Sequence, residues 1–196
     1  MADGSRRCRD PFSASGPLSD RYREQTCDEE EKRMNSETVD LLLDVVQRLE
    51  KSIVSRECPA IAALDGRRKL ILSDYDYLRD RDAAVAFESR AAEKVREISA
   101  IRWVLAVPQV WIFKPPSTIA LRAVSNHPLR EGEQEAITWT SFDQADGVDY
   151  GRVLYARRPN GDPVFEEPEI FDIGIRPRDV MPGRTLLKAF LQEDGF

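Results

Sequence analysis

The chain predicts an α+β fold, because its hydrophobic rhythm changes once and the change separates helices from strands. Up to about Ser99 apolar residues mostly recur at helical spacing, and from Ile101 onward they alternate. Such segregation implies N-terminal amphipathic helices packed on a mostly antiparallel, hairpin-rich sheet with a short C-terminal helix, not a doubly wound parallel sheet.

Residues 1–35 are rich in Ser, Asp, Arg and Glu, with apolar residues at no period. A segment of that kind buries too little surface to offset its ordering entropy, so a disordered N-terminal arm is expected, followed by a single domain over 36–196. Met34 stands just before a strong helix start and offers an alternative origin for the native product.

The first helix is expected over about Ser36–Arg56, with Val39, Leu42, Leu43, Val46, Leu49 and Ile53 as its apolar stripe. Ser36 can cap it, and Pro59 ends it by pushing Cys58 out of the helical region. Pro59–Leu64 reads as a short helix with Pro59 first and Gly66 just past the end. Lys69–Ser73 reads as a short buried strand. A second long helix is expected over Asp82–Ser99, buried through Ala84, Phe87, Ala91, Val95 and Ile98.

Ile101–Val107 and Val110–Phe113 carry β-branched and aromatic residues densely and read as strands. Pro108 lacks an N–H, so it marks a bulge, an edge or a break between them. Thr118–Val124 is another strand, Asn126–Glu135 a polar loop, and Ile137–Phe142 a strand with Ile137 and Trp139 on one face. Arg152–Arg158 and Val164–Glu167 flank Asn160-Gly161, a strong hairpin signal that Pro159 lengthens beyond two residues. Ile170–Ile175 reads as a strand. Arg184–Glu193 reads as a closing helix with Leu186, Leu187, Phe190 and Leu191 inward.

Composition narrows the functional classes. The 196 residues are 41% hydrophobic and 33% charged, enough for an ordinary core without disulfide or metal. A net charge of −6 gives no basic footprint, so nucleic acid is an unlikely partner. Cys8, Cys27 and Cys58 form no C-x-x-C and leave an odd count, which suits a reducing compartment. Met1–Gly16 lacks the apolar core of a secretory signal. Ile98–Phe113, interrupted by Arg102, Pro108 and Gln109, falls short of the ~20 apolar residues a membrane span needs. The expectation is a cytoplasmic protein with no membrane partner.

Nucleotide-binding glycine loops, H-E-x-x-H and G-x-S-x-G are all absent from the sequence. One histidine, His127, excludes a multi-histidine metal site within one chain. Asp143, Asp146, Gly147 and Asp149 do not follow the spacing of a calcium loop and read as an ordinary turn. No metal or other cofactor is expected. The segment Leu70-Ile71-Leu72-Ser73-Asp74-Tyr75-Asp76, an apolar strand ending in D-x-D, resembles the first motif of the haloacid-dehalogenase-like phosphatases. Ile119–Val124 followed by Ser125-Asn126 looks like that family's second motif. The resemblance implies Asp74 as nucleophile, Asp76 as proton donor beside Mg²⁺, and a parallel core. The chain departs from the family in lacking a third-motif lysine and a G-D-x-x-x-D. The competing reading is a charged turn whose last aspartate, Asp82, caps the second long helix.

No complete catalytic set emerges, so the favoured expectation is a non-catalytic protein- or ligand-binding module. Its candidate binding residues are Trp111, Lys114, His127 and Trp139, with Trp111 as an anchor if its ring faces outward. The partner would be a protein or a small molecule, and a homodimer through an open sheet edge is one form. The alternative is a small enzyme with a carboxylate-based site between helices and sheet, a Mg-dependent phosphatase-like activity using Asp74 and Asp76.

Overall fold

A computed structural model describes residues 34–114, 118–124, 128–171 and 181–191. Residues 1–33, the greater part of the expected arm, lie outside that description. Met34 and Asn35 belong to the folded unit instead: Met34 is buried and Asn35 is the N-cap of the first helix.

The element order is α1 (Ser36–Val54), β1 (Ala60–Asp65), β2 (Lys69–Asp74), α2 (Arg81–Ile98), β3 (Arg102–Lys114), β4 (Thr118–Ala123), β5 (Glu133–Asp143), β6 (Gly147–Arg157), β7 (Pro163–Phe165), β8 (Glu169–Ile170) and α3 (Arg184–Leu191). The α+β class and the antiparallel character both hold. One curled eight-stranded sheet runs β2-β1-β3-β5-β6-β7, with β4 added to β3 and β8 added to β6, and every pairing is antiparallel.

Two elements differ from expectation for physical reasons. Ala60–Leu64 is a central strand, not a short helix, and its residues are wholly buried. An unbroken apolar run carries no polar phase to reveal a period, and burial on both faces decides the outcome. The two strands expected around Pro108 are one continuous strand, β3. Pro108 falls where the neighbour on one side changes, between the last β1 partner, Ala106, and the first β4 partner, Gln109. An imino nitrogen is tolerated there because fewer ladder bonds are required. β5 begins at Glu133, inside the expected polar loop. The turn between β6 and β7 spans five residues, 158–162, with Gly161 at φ +90°.

The sheet carries helices on both faces. Trp103, Leu105 and Val107 of β3 point to one core with Phe87, Ala91 and Val95 of α2 and Leu186 and Leu187 of α3. Val104 and Ala106 point to the other, with Ile137, Trp139, Val153 and the α1 residues Leu41, Leu42, Val45, Val46, Leu49 and Ile53. Leu43 and Leu191, expected inward, are exposed. The α1 stripe is turned by about one residue toward Leu41 and Val45.

Capping departs from expectation by similar margins. Asn35, not Ser36, accepts from the Thr38 N–H at 2.9 Å, and Asp80, not Asp82, accepts from the Ala83 N–H at 2.8 Å. The N-terminus of α1 is fixed to the sheet: Asn35 donates to Asp146, and the Thr38 hydroxyl donates to Asp143 at 3.1 Å. Arg102 bridges Asp143 and Asp65 from the middle of that cluster, at 3.0 and 3.1 Å. Burial pushes the Asp143 carboxyl up, but hydrogen bonds from Asn35, the Ala145 N–H, Arg102 and Thr38 outweigh it and hold the group at about 2.

Glu88 ties α2 to α3. It is buried, and its carboxylate accepts from the backbone N–H groups of Gly183, Thr185 and Leu186 at 2.7–3.0 Å and from the Tyr77 hydroxyl at 2.6 Å. A side chain from one helix thus satisfies the free first-turn donors of another. At the other end of α2, Gly66 lets the β1–β2 turn lie against the helix C-terminus. A Cβ there would meet the Ile98 carbonyl at 2.6 Å, and Arg67 N–H donates to that carbonyl at 2.9 Å.

Candidate functional site

A cleft of about 870 Å³ opens on the α1 face of the sheet. The segment leaving α1 contributes Arg56 and Cys58, the strands β3, β5 and β6 contribute Val110, Glu133, Glu135, Tyr155 and Arg157, and Leu129 stands at the rim. Strand alternation sets this lining. Glu133, Glu135, Ile137 and Trp139 share one face of β5, so the same periodicity that points Ile137 and Trp139 under α1 points the two carboxylates into the cleft.

Each carboxylate is matched to a guanidinium. Glu135 takes two bonds from Arg157, at 2.8 and 3.1 Å, and one from the Tyr155 hydroxyl at 3.4 Å. Glu133 is held by Arg122 and by the Arg130 N–H, the latter at 3.0 Å. Hydrogen bonding from Arg122 and then from Arg130 lowers the Glu133 carboxyl to about 2. Paired in this way, both carboxylates are spared the penalty of an uncompensated buried charge.

Burial also acts on the cleft's thiol and phenol, Cys58 and Tyr155. Burial pushes the Cys58 thiol up; Arg157 pulls it down and Glu135 pushes it further up. Burial, followed by the Glu135 charge, raises the Tyr155 phenol. A thiol without a depressed pKa is a poor nucleophile. Among the described residues no group of three or more His, Cys, Asp or Glu side chains is placed to hold a metal ion.

The residues singled out in the sequence fall elsewhere. Trp111 is only 4% exposed and lies on the face opposite the cleft. Its indole N–H donates to Thr138 Oγ1 at 2.8 Å, the Arg152 guanidinium stands 5.1 Å over its ring, and the Phe171 ring is 5.8 Å away. Trp139 is fully buried under α1. Neither ring faces outward as a surface anchor. Lys114 ends β3 with its side chain outside the described residues, and His127 and Ser125 lie outside them altogether.

Asp74 ends strand β2 and Asp76 lies in the turn that follows it. Asp74 accepts from the Asp76 N–H at 2.8 Å and from the Arg90 guanidinium, while Asp76 pairs with Arg79 at 3.4 Å. With Asp80 capping α2, the segment forms a charged turn and helix cap. The strand before it is antiparallel to β1, whereas the phosphatase resemblance implies a parallel core.

No helix among the described residues is long and apolar enough to cross a membrane. Comparison of the chain with protein-family models, with curated proteins and with solved structures finds no match.

Proposed function

We propose that the chain is a non-catalytic binding module of the cytoplasm, and that the cleft between Cys58, Glu135, Tyr155 and Leu129 takes its ligand, a small amphipathic molecule or a segment of a partner protein. The observation that carries this reading is the pairing of both cleft carboxylates with guanidiniums beside the exposed apolar side chain of Leu129 at the rim. A paired charge keeps its partner when a ligand displaces water, and Leu129 gains from being covered. The volume falls within the range of ~300–1,000 Å³ that small-molecule sites occupy. Assignment to the cytoplasm rests on the odd count of 3 cysteines and is checked by fractionating host cells.

Ligand-observed NMR with a fragment mixture, on wild type and on Leu129→Asp, tests the cleft. Leu129 is 44% exposed, so the variant keeps the fold. Fragments that bind wild type should lose most of their signal with the variant. Equal binding to both proteins, or no fragment bound to either, would overturn the proposal.

A further inference from the structure

Strand β2 ends the sheet. Among the described residues it pairs only with β1, leaving the backbone donors and acceptors of its outer side without a strand partner. Native edges are usually blunted by a proline, a bulge or an inward charge. This one has none of these within Leu70-Ile71-Leu72, and all three side chains stay half-buried. Leu70 and Leu72 lie on the α2 face, and Ile71 on the α1 face.

The charges at the two ends of the strand are opposite in sign. Arg67, Arg68 and Lys69 precede the apolar triplet, and Asp74 and Asp76 follow it. Arg68 pairs with Glu97 yet remains 63% exposed, and Asp74 already meets Arg90. An antiparallel copy of the same strand would lay the basic end of each chain beside the acidic end of the other.

We infer that β2 is a dimerisation edge, and that its partner is β2 of a second copy of this chain, joined across a two-fold axis perpendicular to the sheet. That axis keeps the faces of the two sheets aligned, so opposed residues must share a face. Two registers satisfy this near the strand centre. One sets Leu70 against Asp74, an unfavourable neighbour. The other sets Ile71 against Ile71, Leu70 against Leu72, and Arg68 against Asp74, so apolar meets apolar and the charges complement. The second register is the one assigned. The surface is separate from the cleft, and its test does not depend on cleft binding.

Sedimentation velocity of the full chain across the micromolar range tests the proposal. Wild type should shift from monomer to twice the monomer mass as concentration rises. Ile71→Lys sets two like charges on the axis and should weaken the dimer by about tenfold or more. Ile71→Glu should do the same, and an equimolar mixture of the two variants should regain a dimer. Arg68→Glu lies outside the strand and keeps the assay informative should a position-71 variant fail to fold. It acts twice by symmetry and should weaken the dimer by about fivefold at low salt. A wild type that stays monomeric, or folded variants that dimerise as wild type does, would overturn the assignment.

Discussion

The two halves of β3 occupy different surroundings. From Arg102 to Ala106 the strand lies between β1 and β5, with one helix layer on each face, and Trp103 through Val107 are fully buried. From Gln109 onward β4 replaces β1, and on the α1 face the helix gives way to the cleft. In the covered half the β3 side chains from Trp103 to Val107 are apolar and answer to packing. In the open half the same alternation delivers Glu135 and its neighbour Glu133 to a partly covered surface, where guanidiniums must meet them. One strand system thus builds a core at one end and a polar-lined recess at the other, and what separates them is where α1 stops.

The sharpest way to break this contrast is to hollow out the covered half. Trp103→Ala should destabilise the fold by about 3–5 kcal/mol in urea denaturation. A loss below about 1 kcal/mol would mean that this half is not the packed one. Glu88→Ala comes next. It strands three backbone N–H donors and the Tyr77 hydroxyl in the core and should cost about 3 kcal/mol, with the near-ultraviolet circular dichroism of the Tyr77–Phe87 region altered.

Acid titration sharpens the contrast further. The Asp143 carboxyl, at about 2 when folded against 3.8 ordinarily, supplies stability that is full above the ordinary value and is lost as pH falls toward the folded one. That corresponds to roughly 2 kcal/mol, so wild type should weaken by that amount between about pH 4 and pH 2 through this group. Asp143→Asn should be less stable at pH 7 by a similar amount and show a correspondingly flatter acid limb. The smallest effect belongs to the open half. Glu135→Ala leaves Arg157, one-third exposed, able to recover water, and should cost about 1 kcal/mol. If Glu135→Ala matched Glu88→Ala, the two halves would not differ in kind.

Much of this architecture was legible in the residues. The helices, the change of rhythm near Ile101 and the long turn at Asn160-Gly161 follow from local periodicity and turn chemistry. Ala60–Leu64 did not, because an all-apolar pentapeptide has no phase and only its neighbours on both faces make it a strand. Glu133 and Glu135 were hidden for the opposite reason. Their polarity reads as loop, although they continue the alternation of Ile137 and Trp139. Glu88 looks like any surface residue of a helix, and its donors lie ~95 residues away. The burial of Trp111 and Trp139 was not legible either, because strand alternation alone cannot tell a covered face from an open one.

The Glu88 junction also predicts an order of events during synthesis. A nascent chain that has been made as far as Met181 already holds the carboxylate but none of the three amides that receive it. Until Leu186 has emerged, closing the α2 side would strand an unmatched charge, so that layer stays hydrated and open while the α1 side can consolidate. The last helix therefore acts as the keystone of one face only, and the molecule should mature from its α1 side inward.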